Sequence, residues 1–317
     1  MYIDLFTKYP IDVVIGRADT AASITHLVSL LRSRARHLPG ELRVLDLCTG
    51  SGCMALLFEH EFARLRSSTC THILGVDISL RALRLARLNR ARIHRSSSSS
   101  SSSSVKPQKS NTLHFLHADI LLDPADQPSR PHAPPLKTAL FDSPHWHILL
   151  SNPPYISPRA YWTTTARSVR GFEPRLALVP PPPPSPPITH AGVPSSQNHD
   201  DDDDDAALGD TFYPRLLAMA QHVNAQIVLL EVADMAQAVR VARRARCVFG
   251  RGVEIWREEP GVRRQQQEDG HGRGEYEASD DDGDESGYGE GFRVLGRGNA
   301  RSVVCWRGEA AAWLGRE

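Results

Sequence analysis

The stretch "RVLDLCTGSGCMALLFEHEFARL", residues 43–65, decides the fold. A short apolar run ends in an acid. A turn holding Gly50 and Gly52 follows, and then an apolar segment of helical length. Strand, glycine turn and helix in that order are the first half of a βαβ unit. A side chain at the glycines would keep the backbone from approaching a ligand. The pattern then repeats. "HILGVDIS" (72–79) is a second strand ending in Asp77, and Ser79 is placed to cap the helix "LRALRLARLNRARI" (80–93). "LHFLHADIL" (113–121) and "HWHILLSNPPY" (145–155) read as strands three and four. "FYPRLLAMAQHV" (212–223) is a helix, "AQIVLLEV" (225–232) a fifth strand and "MAQAVRVARRAR" (235–246) another helix. Upstream, "SITHLVSLLRSRARH" (23–37) has apolar residues at helical spacing, with Ser23 as its expected N-cap. "GVEIWRE" (252–258) and "ARSVVCWRG" (300–308) have no helix between them and are expected to pair antiparallel.

The expected fold class is therefore α/β: a doubly wound, mostly parallel seven-stranded sheet with an antiparallel C-terminal edge hairpin. Four tracts stand outside it, at about 95–111, 123–144, 180–209 and 261–291. They hold nine serines (Ser96 to Ser104), Pro-rich runs, six aspartates (Asp200 to Asp205) and an acidic Gly-rich tract. Such compositions bury too little apolar surface to offset their ordering entropy, and all four are expected to be disordered insertions. Without them, roughly 210 to 230 of the 317 residues remain, the size of one domain. The expected division is a short N-terminal segment at 1–22 and one domain at 23–317.

The net charge of zero hides an asymmetry. Residues 200–205 and 261–291 hold 16 of the 37 acidic residues and 3 of the 37 basic ones, which leaves 34 basic against 21 acidic. A basic body suits an anionic partner, such as RNA or the ribosome, or simply solvated arginine faces. Five cysteines without a CxxC pair point to a reduced, intracellular protein. No apolar run is long enough to span a membrane, and no membrane association is expected. "MYIDLFTKYP" lacks the features of a signal or transit peptide. The fourteen histidines show no metal-ligand spacing, so no metal site is expected.

Asp46, Asp77 and Asp119 close three successive strands. Asp77 follows Gly52 by 25 residues, where a carboxylate can accept both hydroxyls of a ribose. Cys48 stands where a dinucleotide fingerprint has its first glycine, and Ala55 follows where the third would be. The three acids suit a ligand with a ribose and an exocyclic amine but no phosphates. S-adenosyl-L-methionine is such a ligand. Asp46, Cys48, Gly50, Gly52, Asp77, Asp119 and Asn152 are the expected donor-binding residues.

Asn152-Pro153-Pro154-Tyr155 is unusual after a buried strand. Two prolines fix φ, so the Asn152 side-chain oxygen and the Pro153 carbonyl would be preorganised acceptors. Two acceptors and a flat ring suit a planar NH2 group. Asn152, Pro153 and Tyr155 are the expected catalytic residues, and Asn152, Pro153, Pro154, Tyr155 and Glu173 the expected substrate-binding ones. Glu173-Pro174 reads either as a wall of that pocket or as a charged loop tip. Trp146, between His145 and His147, reads as strand packing.

"VLDLCTGSGCMAL", "GVDISLRALRLARLN", "ADIL" and "LLSNPPYI", in this order, resemble the class I S-adenosylmethionine-dependent methyltransferases. "NPPYI" followed by "VRGFEPRLAL" is similar to the HemK/PrmC family of N5-glutamine methyltransferases. "VIGRADTAASI" (14–24) resembles the segment leading into that family's catalytic domain, with Gly16 and Asp19 where proline and glutamate are usual. "IVLLEVADMAQ" resembles its fifth strand and turn. The resemblance covers most of 11–257 outside the insertions, plus 300–307. It implies a class I fold, S-adenosylmethionine as donor and methylation of a glutamine in a protein, the Gly-Gly-Gln loop of a peptide-chain release factor. It also implies a monomer and an intracellular site, mitochondrial in preference to cytoplasmic. This sequence departs from the family at Cys48, which replaces a glycine. It also has almost nothing before residue 11, where the family has a helical domain that grips the factor. Either that domain is truncated or the substrate docks differently. Adenine N6 and cytosine N4 are planar amines too, so a nucleic-acid amino-methyltransferase is the alternative enzyme. A non-catalytic binding protein with this fold is the third reading.

Overall fold

The computed structural model describes residues 18–64, 69–98, 111–122, 133–140, 145–182, 201–262, 288–289 and 291–316. Strands β1 (Glu41–Leu47), β2 (Cys70–Asp77), β3 (Thr112–His117), β4 (Ile148–Ser151) and β5 (Ile227–Glu231) form its parallel half. With β6 (Val253–Glu259), β7 (Tyr288–Gly289), β8 (Phe292–Leu295) and β9 (Arg297–Trp306) they make one nine-stranded sheet, ordered β3-β2-β1-β4-β5-β9-β6-β8-β7.

The central strands β4 and β5 are apolar at almost every position and fully buried because both faces are covered, whereas β1, β2 and β3 carry more polar residues. The period of two then divides those residues between two cores. In β4, Ile148 and Leu150 join the side packed by helix α1 (Ala18–Ser33) and helix α2 (Cys53–Ala63), while Leu149 joins the other. That other core is closed by α9 (Phe212–His222) and α10 (Met235–Phe249). Helix α3 (Leu80–Ser98) links β2 to β3, with Leu83 and Ala86 buried. The strand order reverses at β1, which lies between β2 and β4. At such a switch point the connections leave in opposite directions and open a crevice at the strands' carboxyl ends.

Several expectations need correction. Helix α1 starts at Ala18, so Ser23 does not cap it. Ser23 is buried, and its hydroxyl lies 2.8 Å from that of Ser302. The sheet has nine strands, because β7 and β8 extend it beyond β6. The expected mostly parallel sheet with an antiparallel C-terminal pair at one end holds: β9 lies between β5 and β6, antiparallel to both, and β8 and β7 are added outside the pair.

The insertions are partly structured. Helix α3 runs on to Ser98, and β7 lies inside 261–291. Residues 133–140 hold a short helix, α4 (Leu136–Ala139), with Ala133, Leu136 and Leu140 buried. Composition hid this because the prolines flank the apolar residues that pack. The aspartate run forms α8 (Asp201–Gly209). Carboxylates at a helix N-terminus are favoured by its unpaired N–H groups and dipole. Residues 99–110, 123–132, 141–144, 183–200, 263–287 and 290 lie outside the described residues.

Candidate active site

The turn after β1 is built by hydrogen bonds across the switch point. Thr49 N donates to the Val76 carbonyl at 2.9 Å and Gly52 N to the Thr49 carbonyl at 2.8 Å. Asp77 completes it: Oδ2 accepts from Gly50 N and Oδ1 from Ser79 N, both at 2.8 Å. Burial pushes the Asp77 carboxyl up from its ordinary range, while the bonds from Ser79 and Gly50 pull it back.

The two glycines have different work. Gly50 has φ +57°, and a Cβ there would meet little. Gly52 has φ +83°, and its Cβ would lie 3.1 Å from both Ala86 and Phe115. Gly50 thus leaves room toward the crevice, whereas Gly52 lets α2 and α3 close on the sheet. Cys48 also has positive φ, 58°, a conformation that side chains other than glycine rarely adopt. Burial, reinforced by Asp77, pushes its thiol well above the ordinary range, so it sits as a neutral group.

The loop leaving β4 is held at both ends. Ser151 Oγ donates to the Leu47 carbonyl at 2.8 Å, and Ile156 N to the Leu178 carbonyl at 2.9 Å. Pro153 and Pro154 are buried, and Asn152 and Tyr155 half-buried. Three short helices follow: α5 (Pro158–Thr163), α6 (Arg167–Phe172) and α7 (Arg175–Leu178).

One cavity of about 310 Å³ unites these parts. Cys48, Gly50, Asp77, Asp119, Asn152, Pro153, Pro154, Tyr155 and Glu173 all line it. Glu173 is thus in a wall and not at a loop tip. Asp46 and Gly52 do not line it. Asp46 is fully buried, and its Oδ2 accepts from Thr49 Oγ1 at 2.5 Å and Ala55 N at 3.2 Å. It clasps the turn from within. Asp119 Oδ1 accepts from Leu121 N at 2.8 Å. Trp146 is buried, with the Arg43 guanidinium 4.7 Å from its ring.

The sequence reading missed the apolar wall of Ile78, Ile120, Leu121 and Phe212. Ile78 and Ile120 each directly follow a strand-end acid, a signal that could have been used. The charged lining comprises Asp77, Asp119 and Glu173 against Arg81. Three carboxylates repel a polyphosphate and favour a ligand carrying hydroxyls and positive charge. Among the described residues no group of three metal-ligating side chains occurs, and no helix is long and apolar enough to cross a membrane.

Known proteins share this sequence pattern. The release factor glutamine methyltransferase of Chlorobaculum tepidum is 32% identical over 168 residues, 53% of this chain and 45% of that protein. The mitochondrial MRF1 N(5)-glutamine methyltransferase of Saccharomyces cerevisiae is 28% identical over 170 residues, 53% of this chain and 43% of that one. A Schizosaccharomyces pombe protein named "Probable MRF1 mitochondrial N(5)-glutamine methyltransferase mtq1" is 34% identical over 167 residues, 53% and 44% of the two chains. The chain resembles release factor glutamine methyltransferases. It spans less than half the length of each of these relatives. No family model matches it. Among solved structures, the "delta-N METTL16 MTase domain" overlaps with a TM-score of 0.43 at 11% identity, covering 93% of this chain and 84% of that one, too loosely to bear on function.

Proposed function

We propose that the chain transfers a methyl group from S-adenosylmethionine to the side-chain amide N5 of a glutamine in a peptide-chain release factor. The observation that carries this reading is that the Gly50–Asp77 turn and the Asn152–Tyr155 loop line one cavity. The names of the relatives support the choice of acceptor. Both yeast relatives are named mitochondrial, which supports that compartment here too.

The cavity residues fit the donor. The Cβ-free Gly50 faces open space, the Asp77 oxygens keep lone pairs for hydroxyl donors, and Ile78 and Ile120 offer apolar walls. When bound, S-adenosylmethionine supplies an electrophilic methyl group on a sulfonium. The chain's own residues prepare the nucleophile. An amide nitrogen is a poor nucleophile because its lone pair is delocalised into the carbonyl. With the donor bound, the Asn152 side-chain oxygen and the Pro153 carbonyl would accept the amide's two N–H groups and free the lone pair for bonding. The N–C bond forms as the C–S bond breaks, sulfur leaves as the neutral thioether, and one of the two amide protons is released to solvent. The prolines hold both acceptors before the substrate arrives, so little reorganisation remains in the transition state. Tyr155 offers its ring to the flat amide, and the apolar walls exclude water.

The direct test is incubation with the donor and a release factor carrying Gly-Gly-Gln, followed by mass spectrometry of that peptide. One added methyl on the glutamine is expected. An unmodified peptide, with methyl instead on adenine N6 of an offered RNA or DNA, would move the substrate to nucleic acid.

The donor assignment has its own expectation. Asp77→Ala should weaken S-adenosylmethionine binding by about 1–3 kcal/mol, because a charged acceptor is lost. Calorimetry on the folded variant checks this, and unchanged affinity would remove Asp77 from the donor site.

A further inference from the structure

Gln237 has no place in the motifs of the donor turn or the acceptor loop, yet its amide is fully engaged. It lies in the first turn of α10, is 3% exposed, and its N–H bonds to Asp234 Oδ1 at 2.8 Å. Oε1 accepts from Ala233 N at 2.8 Å and lies 3.2 Å from the Tyr213 hydroxyl. Nε2 donates to Asp210 Oδ1 and to the Tyr155 carbonyl, both at 3.1 Å.

The amide cannot be flipped. Asp210 is itself buried and gripped by Arg240 at 2.9 and 3.1 Å and by Arg244 at 2.7 Å. Burial alone would raise its carboxyl, but the bonds from Arg240, Arg244 and Gln237 outweigh that and hold it below the ordinary range. A carboxylate only accepts, so it must face the NH2 end, while the Ala233 N–H only donates and must face Oε1. The second Nε2 hydrogen is thereby committed to the Tyr155 carbonyl.

The same loop is pressed from α8. Asp205 accepts from Ser157 Oγ and, at 2.9 Å, from Arg159 N. A Cβ at Gly209 would lie 3.1 Å from the Tyr155 carbonyl oxygen and 3.3 Å from Ser157 N. Between Asn152 and Tyr155 the peptide planes are rigid and two φ angles are fixed by proline. Fixing the Tyr155 carbonyl therefore restricts the directions of the Pro153 and Asn152 acceptors, two and three residues earlier.

We infer that Gln237 is a positioning residue for methyl transfer: through the Tyr155 carbonyl it sets the aim of the Asn152 and Pro153 oxygens at the substrate amide. The inference rests on the function proposed above for this loop. It is tested with Gln237→Leu, Gly209→Ala, Asn152→Ala and the double variant Gln237→Leu/Asn152→Ala. Gly209→Ala disturbs the carbonyl while leaving every hydrogen-bonding side chain in place, so it answers if Gln237→Leu does not fold.

Single-turnover transfer should slow roughly tenfold in Gln237→Leu and in Gly209→Ala, because the acceptors are misaimed. Donor affinity should stay within about twofold in both, since Gly50 and Asp77 are untouched. In the Asn152→Ala background, Gln237→Leu should cost little more, because the group it aims is already gone. Full additivity of the two losses, or an equal fall in donor affinity, would overturn the inference. Hydrogen exchange of the peptide 149–160 separates it from the proposed function. If the wild type methylates no glutamine, that function fails, and the exchange still decides the positioning. Faster exchange confined to this peptide in both variants supports it, and unchanged exchange overturns it.

Discussion

Asn152→Ala is expected to slow methyl transfer by roughly 10²-fold or more, the loss typical of one preorganised polar group in a water-poor site. Donor affinity should change far less, because Gly50, Asp77 and Asp119 line the same cavity independently of it. The physical claim is that Asn152 acts on the acceptor amide, so its removal reaches the rate and not the donor equilibrium. Asn152→Asp separates shape from charge. It keeps an acceptor oxygen of the same reach but adds a fourth carboxylate to a cavity already lined by Asp77, Asp119 and Glu173. A cationic donor should bind this variant at least as well as the wild type, while transfer slows because added negative charge stabilises the sulfonium before reaction. The measurement is single-turnover methylation of a Gly-Gly-Gln factor beside calorimetric donor binding. If both variants methylate at the wild-type rate, the loop is only a turn and the catalytic assignment is wrong.

The parallel half of the sheet was legible because its sequence signals are local. "VLDL" and "ILGVD" are apolar apart from Asp46 and Asp77, as expected of strands covered on both faces. The glycine turn and the prolines after β4 also state their backbone geometry directly. What could not be read is what depends on direction. Asp46 and Asp77 both end strands in register with a ligand crevice, but one carboxylate turns inward to Thr49 and Ala55 while the other meets the cavity. Gly50 and Gly52 are alike in sequence, and only the neighbours of an absent Cβ tell the cavity-facing one from the packing one. The aspartate run read as part of a disordered insertion because composition does not reveal that Asp205 has Ser157 and the Arg159 N–H as partners 48 and 46 residues away. Gln237 is 82 residues from the carbonyl it holds, beyond any local pattern. β7 and β8 were missed because β7 is two residues long and sits in a Gly-rich acidic context.

Asp46 should give the protein an unusual dependence of stability on pH. Its carboxyl is fully buried, and no hydrogen bond reaches Oδ1 among the described residues. Burial pushes its pKa up to about 7, against pull from Thr49 and Ala55 and with a further push from the Asp77 charge. The ordinary value, 3.8, applies once the chain unfolds. Between these two values the folded state holds a proton that the unfolded state has released, so this group's contribution falls as pH rises from about 4 to about 7. Above 7 both states are ionised and the cost is constant. At about 1.4 kcal/mol per unit, a shift of about three units sets an upper bound of about 4 kcal/mol. Asp46→Asn keeps an oxygen for Thr49 and Ala55 and never ionises. Its new NH2 group takes the place of Oδ1 and, left without an acceptor, costs about 1–3 kcal/mol at every pH. The stability difference between variant and wild type is thus a constant offset plus a term that grows in the variant's favour from pH 4 to pH 7. Urea unfolding of both proteins without donor, at several pH values across that window, reads the slope and ignores the offset. A difference that does not change with pH would mean that Asp46 ionises inside the fold as easily as in water, and that its burial is relieved by a partner such as water.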